Sequence, residues 1–391
     1  MRRTVLLLAV CQAMSLTGAT LLVATSALVG FRLSPDRSLA TLPLALQMLA
    51  SMLTTIPASL LMQRIGRRGG FVIGSAIGIA GGALATWAII SGSFVMFAAA
   101  AALSGIFTGF SSYYRFAAAD AATSDYRARA ISWVLTGGVV AALIGPNLAR
   151  WTSGWLATPF AGSYLALTGI MLLSFVTVMF LDIPRPTAEQ LEGGRSLRQI
   201  VAQPVFVVAV IGGMFGFGFM SLVMTATPLA MHANHYVFSD TAFVIQWHAL
   251  GMFAPSFFTG SLIRRFGVLR VMLAGILLIL SCVLVNLSGI TLAHYAIALA
   301  LLGIGWNFMF IGSTTLLTDA YQPAEKGRTQ ALNDFVVFTT VTIAVLSAGS
   351  LQHRLGWRAV NLGVLPLTLI PLMAIVWLMR RRTAVTPALS G

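Results

Sequence analysis

The sequence predicts an all-α integral membrane protein: twelve transmembrane helices in two six-helix bundles, related by a pseudo-two-fold axis along the membrane normal. Three observations carry this expectation. The 391 residues are 58% hydrophobic and only 9% charged, with a mean hydropathy of +0.90, which is more apolar surface than one water-soluble core can enclose. Apolar runs follow one another with short polar breaks, and a run of about 20 residues is what crosses a ~30 Å hydrocarbon layer as a helix. The third observation is a duplication. SLLMQRIGRRGGF begins at Ser59 and GSLIRRFGVLR at Gly260, so that Arg64 and Gly66 return 201 residues later as Arg265 and Gly267. Asp120 with Arg129 likewise returns as Asp319 with Arg328, and Gly154-Trp155 as Gly356-Trp357, so the repeat fills the chain. A closed barrel would show strict alternation of apolar and polar residues, and none is visible.

The spans fall near 4–30, 40–62, 71–91, 95–120, 130–150 and 160–181, then 204–230, 241–263, 270–289, 294–318, 330–350 and 361–379. The first follows Met1-Arg2-Arg3 and imitates a secretory signal, but its apolar run continues to about Gly30, past the ~7 to 15 residues of a signal's apolar region, so it reads as an uncleaved span. Between the sixth and seventh spans, residues 182–203 are rich in Pro, Gly and charge, the composition of a linker. This divides the chain into bundles 1–181 and 204–391, and the SLRQIV portion of the linker reads as a short surface helix.

Charge sets the orientation. With the N-terminus cytoplasmic, eighteen Lys and Arg fall on that side and five on the other, leaving Arg115 alone inside a span, as expected for a multi-pass protein of a bacterial inner membrane with both termini cytoplasmic. The net charge of +14 is scattered over loops without interleaved aromatics, which argues against nucleic-acid binding. Cys11 and Cys282 lie in apolar stretches, which offers no disulfide framework or CxxC site. No GxxxxGK[ST] phosphate loop is present, and His232, His235, His248, His294 and His353 form no HExxH or comparable set, so an ATP-driven pump and an enzyme are both disfavoured. His232, His235 and Asp240 read as a solvated loop. No cofactor or metal is expected.

With two like six-span halves, each with a basic loop after its second span, the chain resembles the major facilitator superfamily over nearly its whole length. The family's loop signature is approximately GxxxDRxGRR, matched here by SLLMQRIGRR and less well by GSLIRRFGVL; the usual Asp is replaced by Gln63 and Arg264. The resemblance implies alternating access, with the two halves rocking around a midplane site. Gly66 and Gly267 would turn the loops, and Arg64, Arg67 and Arg265 would cap helices or pair with carboxylates. Asp334, about one turn into the eleventh span, is the expected latch partner of Arg64 or Arg67, while Asp120 and Asp319 read as braces at helix ends.

Arg115 is the cation whose position demands a partner, water or snorkelling. The family's fourth-span signature also carries an Arg in this region, and Tyr113 and Tyr114 flank it. Spans one, four, seven and ten line the path in the resembled fold, which favours Gln12 and Thr17, then Phe217 and Met220, then Trp306 and Asn307, with Gln246 of span eight, as a largely neutral, aromatic site. No carboxylate falls at the middle of a span; if protons couple transport, His248 is the candidate, against a structural hydrogen-bonded histidine. The stretch GGVVAALIGPN from Gly137 resembles the fifth-span Gly-Pro signature of the family's exporters, although Asn147 and Leu148 stand where those usually continue with glycines.

The leading expectation is therefore a monomeric secondary transporter that exports or antiports hydrophobic or drug-like compounds. Uptake of an aromatic nutrient such as riboflavin is the alternative, and a ligand-sensing membrane protein without transport is the alternative class. The partners implied are the lipid bilayer and a small-molecule substrate.

Overall fold

The computed structural model describes residues 2–36, 39, 42–183 and 194–385, and it is helical nearly throughout. The first three spans are the helices Arg2–Leu33, Leu42–Ile65 and Arg67–Ser91. The fourth is broken after Ser111 into Phe94–Ser111 and Tyr114–Asp120. The fifth comprises Arg127–Leu135 and Gly137–Thr152, and the sixth is Ala161–Met179. Of the linker expected at 182–203, residues 184–193 lie outside the described residues. The SLRQIV expectation holds: Leu197–Val201 is a short helix, opened by a capping box in which the Ser196 hydroxyl and the Gln199 side chain each accept from the other's backbone N–H.

The seventh span is Pro204–Ala233, with Pro at the first helical position, where its missing N–H costs nothing. The eighth is split around Pro255 into Phe238–Phe253 and Ser256–Phe266, as expected where a ring replaces a backbone donor. Val268–Ser288 and Leu292–Leu317 follow. The eleventh and twelfth spans run together as Lys326–Val385, broken at Gly356 with φ 78° and ψ 171°. Ten helical stretches among the described residues are long and apolar enough to cross a membrane. The difference from twelve arises at these two places, where the eighth span is cut into short pieces and the last two are fused.

The chain forms two compact units. One comprises Met1–Thr123, Trp133–Glu192 and Gln330–Phe335; the other comprises Ser124–Ser132, Gly193–Thr329 and Val336–Gly391. In the first unit, Phe97 meets Tyr164 edge-on at 5.3 Å among Phe107, Leu167 and Met171. The first and fifth spans approach closely, because a Cβ on Gly137 would lie 2.6 Å from the Ala9 carbonyl and one on Gly145 would collide with Thr20. Small residues at such contacts let helices associate where lipid supplies no hydrophobic drive. In the second unit, the Asn286 side chain donates to Asn361 at 2.9 Å, joining the ninth and twelfth spans. Large apolar side chains such as Trp87, Leu172, Leu284 and Met373 remain exposed, as surfaces that face acyl chains should be.

Candidate functional site

The turn after the second span shows why the sequence repeats there. Gly66 has φ 86° and ψ 159°, and Gly267 has φ 87° and ψ 150°, a conformation that is essentially glycine's alone. The chain leaves one helix and enters the next within a single residue. That places Arg67 at the first position of the third span, 5% exposed. Its Nε donates to Asp120 at 3.1 Å, its Nη2 donates to the Gln330 side-chain oxygen, and its guanidinium lies 5.5 Å from the centre of the Tyr113 ring. Arg64 and Arg265 are exposed instead, the latter over the ring of Phe266.

Arg115 sits just past the break in the fourth span and is 6% exposed. Its Nη2 donates to Asp334 Oδ1 at 2.6 Å and its Nη1 to the Ser112 carbonyl at 3.0 Å, while the Phe116 ring centre lies 4.6 Å from the guanidinium. Asn333 donates to the same Asp334 oxygen at 2.8 Å, and Asp334 Oδ2 is buried with no hydrogen-bond partner among the described residues. Asp334 is fully buried, and its two hydrogen bonds, one of them charge-assisted from Arg115, both fall on Oδ1. The partner expected for Asp334 was Arg64 or Arg67. The structure pairs it with Arg115 and gives Arg67 to Asp120 and Gln330. Gln330 lies four residues before Asp334, hence on the same helix face, a signal that could have placed it in this cluster.

The second unit holds an uncharged cluster. Trp306 and Phe310, four apart on the tenth span, stack at 4.9 Å and 13°. Phe217 of the seventh span lies 5.4 Å from Trp306 and 5.5 Å from Phe310, with its plane within 31° of both. Phe253, the last residue before the break in the eighth span, and Phe338 of the eleventh stand nearly perpendicular to Trp306 and Phe217, at 78° and 77°. Trp306 is 3% exposed, and its indole N–H has no acceptor among the described residues. Phe217 and Trp306 were named from the sequence; Phe253, Phe310 and Phe338 were missed. The four-residue spacing from Trp306 would have found Phe310.

The other expected residues separate into those spent on packing and those that are exposed. Tyr113 is buried and donates to the Thr55 carbonyl at 2.8 Å, and Tyr114 is buried against Phe71 at 4.5 Å between ring centres. Asn307, read as a ligand, is a helix pin: it donates to the Met252 carbonyl and Ser256 and accepts from Thr259, at 2.6 to 2.7 Å. His248 is buried, with Nδ1 2.9 Å from the Leu299 carbonyl, which is the structural arrangement weighed against a coupling role. Thr17 and Met220 are buried, Gln12 is half-buried and Gln246 is exposed. Asp319 pairs with Arg382 at 3.7 Å. Beside it, Arg195 donates to both oxygens of Glu325 at 2.9 and 2.7 Å, and this carboxylate raises the Arg195 pKa above its ordinary value. A cavity in the first unit is lined by Ser15, Ser104, Thr108 and Met171 and by none of the residues named from the sequence. No group of three or more metal-ligating side chains occurs among the described residues.

Helices long and apolar enough for lipid, with large apolar side chains exposed on them, define a multi-pass membrane protein. The chain belongs to the major facilitator superfamily, whose family model matches residues 7–245 and 210–390. It is 40% identical over 392 residues to the riboflavin transporter RfnT of Brucella anthropi, covering 99% of this chain and 98% of that one. Its fold is similar to that of the human organic anion transporter MFSD10, with a TM-score of 0.79 at 15% identity over 96% of this chain and 99% of that one. It also matches the outward conformation of the superfamily transporter FucP, with a TM-score of 0.74 at 15% identity over 95% of each chain. The twelve-helix, two-domain class expected from the sequence is thereby established.

Proposed function

We propose that this protein is an uptake carrier for riboflavin or a closely related flat aromatic nutrient, working by alternating access between bundles 1–181 and 204–391, with residues 182–203 as the linker. The observation that carries the reading is the 40% identity, essentially end to end, to a riboflavin transporter. It favours the uptake alternative over export of drug-like compounds. The local chemistry agrees: an uncharged aromatic cluster suits a neutral ring system, and no carboxylate outside the Arg115 pair is buried in the described part of a span. The excess of Lys and Arg on one side supports placement in the cytoplasmic membrane with both termini inside.

Counterflow in proteoliposomes tests the reading. Vesicles preloaded with unlabelled riboflavin are expected to accumulate external labelled riboflavin transiently, and protein-free vesicles are not. Exchange of a cationic dye without exchange of riboflavin would restore the exporter reading, and binding without any exchange would reduce the protein to a sensor.

A further inference from the structure

We propose that Phe217, Trp306 and Phe310 form a stacking platform, edged by Phe253 and Phe338, for a flat, uncharged heteroaromatic ring with a hydrogen-bond acceptor in its plane. This deepens the uptake reading and rests on it for the choice of riboflavin as a probe. The argument from the rings is independent of that reading.

Aromatic side chains settle into offset-stacked or edge-to-face contacts, because the negative face of one ring attracts the positive edge of another, and this cluster contains both. Here Trp306 and Phe310 lie within 13° of parallel and Phe217 within 21° of Phe310, so three rings share one orientation. Phe253 and Phe338 stand nearly perpendicular to Trp306 and Phe217. The set comes from four different spans, and Phe217, Phe253, Phe310 and Phe338 are each only partly buried, so ring surface is left for a guest.

The second observation is polar. The Trp306 ring is 3% exposed and its Nε1–H has no acceptor among the described residues, whereas buried indole N–H groups ordinarily find one. A guest stacked on Phe217 or Phe310 and carrying a ring carbonyl or ring nitrogen at its edge would accept that bond. None of the five side chains is charged, and Asn307, the polar neighbour in sequence, is fully engaged by Thr259, Ser256 and Met252. The cluster therefore offers no counter-ion to an ionic guest. Stacking supplies the attraction and the indole supplies the direction.

The experiment is binding to the purified full-length protein in detergent, read by the change in each probe's own fluorescence. The probes are riboflavin, lumichrome as the bare tricyclic ring, and the cationic dye ethidium. Phe217→Leu and Phe310→Leu are each expected to weaken riboflavin and lumichrome about tenfold, the effect of one lost stacking partner. Trp306→Phe, which retains a ring and removes the donor, should cost about fivefold. Thermal unfolding of each variant separates loss of the platform from loss of fold, and Trp306→Phe keeps the test valid if a leucine variant unfolds, since wild-type affinity in that variant would overturn the role of the indole.

If riboflavin binds and is carried but the leucine variants bind it like wild type, the platform is wrong and the uptake reading survives. If lumichrome binds and is lost in the leucine variants while riboflavin shows no counterflow, the platform stands and the uptake reading falls. Ethidium binding more tightly than lumichrome, with the same sensitivity to the leucine variants, would overturn the uncharged class of guest.

Discussion

The turn after the second span and its copy after the eighth have the same backbone and different chemistry. Gly66 and Gly267 agree within 1° in φ and 9° in ψ, yet the next residue is Arg67 in one and Val268 in the other. Arg67 is buried and bonded to Asp120 and Gln330. In the copy, Val268 has nothing to offer a carboxylate, and Asp319, the counterpart of Asp120, turns to Arg382 at 3.7 Å with both side chains about half exposed. A φ near 87° combined with a ψ of 150–159° admits almost no residue but glycine, so the turn is bound to its residue. A charge can be replaced as long as the group it served finds another partner, and in the second copy that partner lies near the end of the chain.

The sharpest test of this contrast is the buried charge system of the first unit. Arg115→Ala would strand the Asp334 carboxylate in a fully enclosed place, and breaking such a pair costs about 3 to 5 kcal/mol. Thermal unfolding in detergent should show a larger fall for this variant than for any single substitution at the two glycine turns, and transport should be lost. Arg115→Lys keeps the charge but not the planar fork that reaches both Asp334 and the Ser112 carbonyl, so a partial loss is expected. Adding Asp334→Asn to Arg115→Ala should recover part of the stability. Absence of recovery would mean that the two side chains are not energetically coupled.

Arg115 also shows where the sequence stops being legible. That a cation inside a span needs a partner follows from the sequence alone, because the cost of an unpaired charge in lipid does not depend on the fold. Which carboxylate answers it does not follow, because Asp334 lies 219 residues away and no local periodicity reports that distance. The same limit applies to Asn307 and Tyr113. Both are polar at membrane depth and read as ligands, but a side chain's direction is set by its neighbours across the bundle, and here it meets Ser256 and the Thr55 carbonyl. The spans, the linker helix at Leu197–Val201 and the two glycine turns were legible for the opposite reason. Each is fixed by residues within one or two helical turns.

Arg67 against Arg265 is the next comparison. Arg67→Ala removes charge-assisted bonds to Asp120 and Gln330 from a buried place and should cost about 2 to 3 kcal/mol. Arg265→Ala, at an exposed position over the neighbouring Phe266 ring, should stay within about 0.5 kcal/mol. Chemical or thermal unfolding of the two variants decides this. Equal effects would mean that the two copies still share one charge system, contrary to the geometry.

The glycines should behave alike where the arginines do not. Gly66→Ala and Gly267→Ala each force an L-residue into a conformation costing about 1 to 3 kcal/mol. At Gly267 an added Cβ would meet nothing within 4 Å, so its entire cost is backbone strain. Unfolding midpoints lowered to a similar extent in both variants would support a duplicated turn. A much larger fall at Gly66 would show that its turn is also holding Arg67 in place.

The smallest effect belongs to the pair that replaced Arg67 in the second copy. Asp319 and Arg382 are 49% and 44% exposed, and ion pairs in that setting contribute about 0 to 1 kcal/mol because water and salt screen them. Arg382→Ala should therefore leave stability nearly unchanged, and whatever difference exists at low salt should vanish when the ionic strength rises so far that the Debye length falls to about 3 Å. The Arg67–Asp120 bond, with side chains 5% and 15% exposed, should keep its contribution under the same salt. The two acids occupy matching ends of matching spans, so a difference in salt response between them reports the tighter and more buried pairing of the first copy, 3.1 Å against 3.7 Å. If both responses were equally salt-sensitive, the first copy would be no better shielded than the second, and the asymmetry drawn from Arg67 and Val268 would have no energetic content.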